Sequence, residues 1–136
     1  MNTFSARKTI RQRITTLEFL SNGIVYIKID DNCEMTLEDS KGHYKVLKDN
    51  YDGMTKYRIL VEPGRYTSIS PEARAFSANP DNNEMTIASA VLIKSLAHRL
   101  IINFLINVTQ KHIMKMRMFE SKKKAMEWLL SINPLS

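Results

Sequence analysis

The stretch from Met85 to Thr109, MTIASAVLIKSLAHRLIINFLINVT, constrains the rest of the chain more than any other. Its first part is β-rich and apolar, and Ala90-Val91-Leu92-Ile93 closes it without polar alternation. Water on one face would favour a polar residue at every second position. Such a run therefore predicts a strand covered on both faces, as parallel strands are. From Ser95 the period changes. Ala97, Leu100, Ile101, Phe104, Leu105 and Val108 follow helical spacing and predict the inward stripe, with Ser95, Arg99, Asn103 and Asn107 opposite. A strand running straight into a helix is half of a βαβ unit, which predicts a mixed or parallel sheet with helices packed on it.

The 136 residues suffice for one domain with its own core. The single Cys33 excludes an internal disulfide framework and a cysteine-built zinc site, and reads as a free, buried or half-buried thiol in a reducing compartment. His43 and His112 have no second ligand at metal-binding spacing, and the four glycines form no phosphate-cradling pattern. No metal and no cofactor are expected. The net charge of +6 raises nucleic acid or an acidic lipid surface as partners. The positives are scattered, however, from Arg7, Lys8, Arg11 and Arg13 to Lys115, Arg117 and Lys122 to Lys124, and no stacking aromatics accompany them. They read as a solvated surface. Lys94, His98 and Arg99 interrupt the apolar tract, so no membrane span is expected. The N-terminus lacks the apolar core of a secretory signal. Residues 1–17 only faintly mimic a transit peptide, and a cytoplasmic location is the expectation.

In chain order, residues 1–14 read as an arm or strand lead-in and residues 15–136 as a single α/β domain. Thr15 to Leu20 and Ile24 to Ile29 are β-rich runs joined by Ser21-Asn22-Gly23, which predicts a hairpin. Asp30 to Met35 is a polar connection. Thr36 caps a helix that ends near Asn50, with Leu37, Ser40, Tyr44 and Leu47 inward. Tyr57 to Val61 is a central strand, expected beside Ile87 to Ile93 and parallel to it. Ser70-Pro71-Glu72 starts a short helix ending by Asn79. Ile113 to Phe119 alternates as an edge strand, and Ser121 caps a last helix with Ala125, Met126, Leu129 and Leu130 inward. The prediction is a single mixed sheet of about five strands with four helices.

That order, with the passages ASAVLIKSLAHRLIINFLINV and MRMFESKKKAMEWLL, resembles the STAS domain of bacterial anti-sigma-factor antagonists. It is similar above all to the stand-alone SpoIIAA-like proteins, also described as SEC14-like, over about Leu17 to Leu130. In antagonists of the phospho-switch type a serine opens the helix after the third strand, in an Asp-Ser-Gly-like loop. The matching stretch here is Thr67-Ser68-Ile69-Ser70-Pro71-Glu72, which offers Ser68 and Ser70 but neither the preceding acid nor the following glycine. A phosphate at Ser70 would suit a helix start; so would a plain N-cap.

Ser95 and His98, three apart, lack nucleophile-elbow glycines, and they read as a helix start with His98 reaching solvent or a neighbouring strand. No catalytic residue is assigned. Ile102 and Ile106 lie beside the polar stripe, so they either pack on a neighbouring element or form an interface. The expectation is a non-catalytic interaction module whose partner is a protein, including a second copy of itself. The alternative, suggested by the SEC14-like label, is a binder or sensor of a small apolar or lipid-like ligand; an enzyme ranks third. A cavity between the main helix and the sheet would separate the first two.

Overall fold

The computed structural model describes residues 6–109 and 115–133, and for residues 104–109 the helical backbone alone. The elements run β1 (Ala6–Arg11), β2 (Thr15–Leu20), β3 (Ile24–Ile29), β4 (Glu34–Met35), α1 (Leu37–Asp49), β5 (Tyr57–Glu62), β6 (Ser68–Ile69), α2 (Pro71–Ala78), a 3₁₀ turn (Pro80–Asn82), β7 (Thr86–Leu92), α3 (Leu96–Thr109), β8 (Lys115–Phe119) and α4 (Lys122–Ser131). The main sheet has six strands, in the order β1-β2-β3-β5-β7-β8. β1, β2 and β3 pair antiparallel, whereas β3, β5, β7 and β8 are parallel.

The predicted centre holds: β5 and β7 are adjacent and parallel, β7 is buried along its whole length, and β8 lies at the edge. Gly23 turns the β2–β3 hairpin with φ +89°, a conformation side chains disfavour. The strand count is corrected from about five to six, because Ala6–Arg11 pairs along β2 as an outer strand. Its exposed, charged sequence gives no apolar period from which to recognise it. Arg11 on β1 donates to the Asp30 carboxylate, and Arg13 to that of Asp39, tying this edge to the body.

Three βαβ crossovers place α1, α2 and α3 in a row, with α2 touching both neighbours. α4 instead packs on β5, β7 and β8 through a separate core. That core joins Leu20, Ile24, Leu60, Ala88, Ala90 and Leu92 to Ala125 and Leu129. The core under α1 gathers Leu17, Val25, Ile27 and Ile59 around Val46 and Leu47. The alternation of β3 explains the split: Val25 and Ile27 serve one core, Ile24 and Tyr26 the other. Leu130, expected inward on α4, is exposed, while Ala125 and Leu129 alone are fully covered.

The helix starts were legible. Thr36 and Asp39 form a reciprocal capping box on α1, Ser70 accepts from the Ala73 amide, and Ser121 from that of Lys124. The loops after β3 and β5, expected as plain connections, are sewn together. Two-residue strands β4 and β6 pair parallel, Thr67 Oγ1 donates to the Asp30 carbonyl, and Gly64 lies so close to Asp30 that a Cβ there would sit 2.4 Å from its carbonyl oxygen.

Candidate functional site

The α1–α3 side of the sheet carries a half-open cavity of about 210 Å³. Its floor comes from Ile27 and Ile29 of β3, Ile59 and Val61 of β5, and Ser89 and Val91 of β7. Thr86 also reaches it, although it differs in parity from Ser89. The β5–β7 register skips Ile87, pairing Tyr57 with Thr86 and Arg58 with Ala88, and this extra residue turns Thr86 to the same face. The walls are Ser40, His43 and Tyr44 of α1, Phe76 of α2, and His98, Ile101 and Ile102 of α3, with the β6 segment at one end. Tyr44 and Phe76 meet edge to face, closing the seam between α1 and α2.

This geometry corrects the expected inward face of α3. Leu100, assigned to the core, is 62% exposed and Ala97 is exposed, while His98 is only 7% exposed and Ile101 and Ile102 are half-buried. The helix has two adjacent apolar arcs that share Ile101, and periodicity does not choose between them. A tertiary contact does: His98 Nε2 lies 3.1 Å from the Thr67 carbonyl. Because the carbonyl can only accept, Nε2 carries the proton, and in the neutral ring Nδ1 is left as the acceptor. Among the described residues Nδ1 is buried without a hydrogen-bond partner. The same holds for Oγ of Ser40, a residue 5% exposed on the first turn of α1.

His43 stands one turn further along α1. Its Nε2 shares a hydrogen bond with the Thr15 hydroxyl. Burial pushes its pKa down to about 4, with the Asp39 charge opposing weakly, so the ring is neutral near pH 7. Arg13, the largest influence, and Thr36 hold the Asp39 carboxyl down at about 2 against the opposing effect of burial. Among the described residues that line the cavity there is no Asp, Glu, Lys or Arg.

The sequence-predicted positions fall as follows. Ser70 is buried and its hydroxyl caps α2; Ser68 is exposed on β6 and borders the cavity. Ser95 Oγ accepts from the His98 backbone amide at 3.1 Å, so the hydroxyl meets the helix start and not the imidazole. Ile102 lines the cavity; the Ile106 side chain and His112 lie outside the described residues. Cys33 is half-buried, its thiol donating to the Asp30 carbonyl and pushed up by burial. No group of three or more metal-binding side chains converges among the described residues. Nor is any helix among them long and apolar enough to cross a membrane. Sequence reasoning missed Ser40 as a polar cavity wall and His98 as a buried one. A histidine beside the inward arc of α3 was the only available signal.

The family described as domain of unknown function DUF7793 matches residues 18–133. The chain is also similar to a crystal structure of an uncharacterised protein of the DUF3478 family, with a SpoIIAA-like fold, from Shewanella loihica PV-4. That similarity has a TM-score of 0.57 at 14% identity, over 95% of this chain and 97% of that one. The SpoIIAA-like architecture expected from the sequence is thereby shown; at that identity the likeness concerns fold alone. No curated protein matches the chain.

Proposed function

The chain belongs to the DUF7793 family, and from that premise we propose that it works by binding, without turnover, and that what it binds is a small apolar molecule. One observation carries this reading: the cavity under α3 is floored mainly by branched aliphatic side chains, Ser89 and Thr86 apart, and lacks charged walls among the described residues. A half-open apolar space of about 210 Å³ has the concave, mostly apolar form of a small-molecule site. An apolar cavity of about 150 Å³ holds benzene, whereas drug-sized ligands occupy roughly 300–1,000 Å³. The size therefore favours a compact ring or short chain over a long lipid.

Calorimetry with toluene tests the proposal. Saturable one-to-one binding with a negative heat-capacity change is expected, abolished by Ser89→Leu, which fills the floor. Absence of saturable binding by a folded chain would overturn it.

A second reading rests on Leu96 and Leu100, 70% and 62% exposed and four residues apart on the outer side of α3. Such a ridge favours contact with a second copy of the chain, the homodimer expected from the sequence, though at residues other than Ile102. Leu96→Glu with Leu100→Glu should then lower the sedimenting mass of a chain that remains folded. A native chain already monomeric at high concentration would contradict this.

A further inference from the structure

We infer that the cavity selects an uncharged ligand bearing a hydroxyl, whose O–H donates to Nδ1 of His98. This rests on the binding function proposed above and specifies its ligand. Two observations independent of cavity size carry it.

The first is the orphaned acceptor. His98 is 7% exposed, its Nε2 is committed to the Thr67 carbonyl, and its Nδ1 has no partner among the described residues. A buried polar atom left unpaired is destabilising, and one that borders a cavity can be completed by a molecule bound there. Ser40 Oγ, on the helix at the other side of the cavity, is a second unpaired buried group on the same lining. An acceptor on a ring fixed by its opposite nitrogen asks for a donor from the ligand, and the smallest neutral donor is a hydroxyl.

The second is charge. The described lining contains no Asp, Glu, Lys or Arg, and His43 is held neutral near pH 7. A carboxylate or ammonium inside would have no counter-ion among the described lining residues, and burying an unpaired charge is costly enough to disfavour it. The ligand class that remains is a compact neutral alcohol or phenol with an apolar body.

A matched series separates the possibilities: toluene, p-cresol and p-toluate, titrated calorimetrically into the full chain at pH 8. A purely apolar cavity prefers toluene, because the cresol hydroxyl must leave water without compensation. The inference predicts that p-cresol binds at least as tightly as toluene and that p-toluate does not bind. His98→Gln places an amide N–H where Nε2 donates to Thr67 and leaves no atom in place of Nδ1. This variant should weaken p-cresol about 5- to 10-fold, the worth of one hydrogen bond, and leave toluene unchanged. In the native chain, which needs no variant to fold, the Nδ1 ¹⁵N resonance of His98 should move with p-cresol and stay with toluene. Toluene binding tighter than p-cresol, with Nδ1 unmoved, would overturn the hydroxyl inference and leave the apolar-ligand reading standing. Preferential binding of p-toluate would overturn the neutral-ligand inference. Failure of all three to bind would remove the underlying function itself.

Discussion

The two faces of the central sheet are built to different standards. Against α4, the small Ala88 and Ala90 of β7 let the helix approach, and Ala125 and Leu129 close the contact completely. Against α1, α2 and α3, the same strand presents Ser89 and Val91 to a void, and the helices add Ser40, His43 and His98. One strand thus supplies small apolar residues to a filled interface and a hydroxyl to a hollow one. The contrast teaches that stability and binding are segregated by face: α4 holds the sheet, and the α1–α3 row shapes a space.

The sharpest way to break that contrast is to cut the filled face. Leu129→Ala should cost about 2–5 kcal/mol in denaturant unfolding, the range for deleting a fully buried leucine. A loss below 1 kcal/mol would mean that the α4 face is no better packed than its opposite.

The next largest effect belongs to the hollow face and is read by pH. The unfolded chain protonates histidine near pH 6.5, but His43 in the fold resists until about pH 4. Between those values the unfolded state binds the extra proton, so stability falls as pH falls through this window, by about 3 kcal/mol in all. Asp39 adds a second loss from about pH 4 downward toward 2, as its pairing with Arg13 is protonated away. Stability measured from pH 7.5 to 2 in native and His43→Gln chains checks this: the variant should lose the slope between pH 6.5 and 4 and keep the one below pH 4.

Smaller still, Ile102→Ala on the cavity wall should cost about 1 kcal/mol, less than Leu129→Ala, because a half-buried residue beside existing space loses fewer contacts. Ser40→Ala should be neutral or stabilising by up to about 1 kcal/mol, since it removes a buried hydroxyl that has no partner among the described residues. Clear destabilisation by Ser40→Ala would reveal a partner for the hydroxyl and weaken the account of an incomplete lining.

The same contrast explains what the sequence could and could not reveal. Continuous apolar character located β5 and β7 and their adjacency, because a strand covered on both faces must exclude polar residues. Thr36, Ser70 and Ser121 marked their helix starts because capping is local chemistry. β1 stayed hidden because an exposed edge strand buries no period, and β4 and β6 because two residues are too few to show one. The rotation of α3 depended on His98 meeting a carbonyl thirty-one positions earlier, which no window of sequence contains. A void has no residues of its own. Its lining letters, isoleucine, valine, serine and histidine, are those of an ordinary core, and only their placement makes a site.

The most direct test of the central claim is a toluene titration of the chain followed through its methyl resonances. The account predicts saturable shifts at Ile27, Ile59 and Ile102, which line the cavity, and none at Ile24, Leu60 and Leu129 beneath α4. Equal shifts on both faces, or none at the cavity methyls, would contradict it.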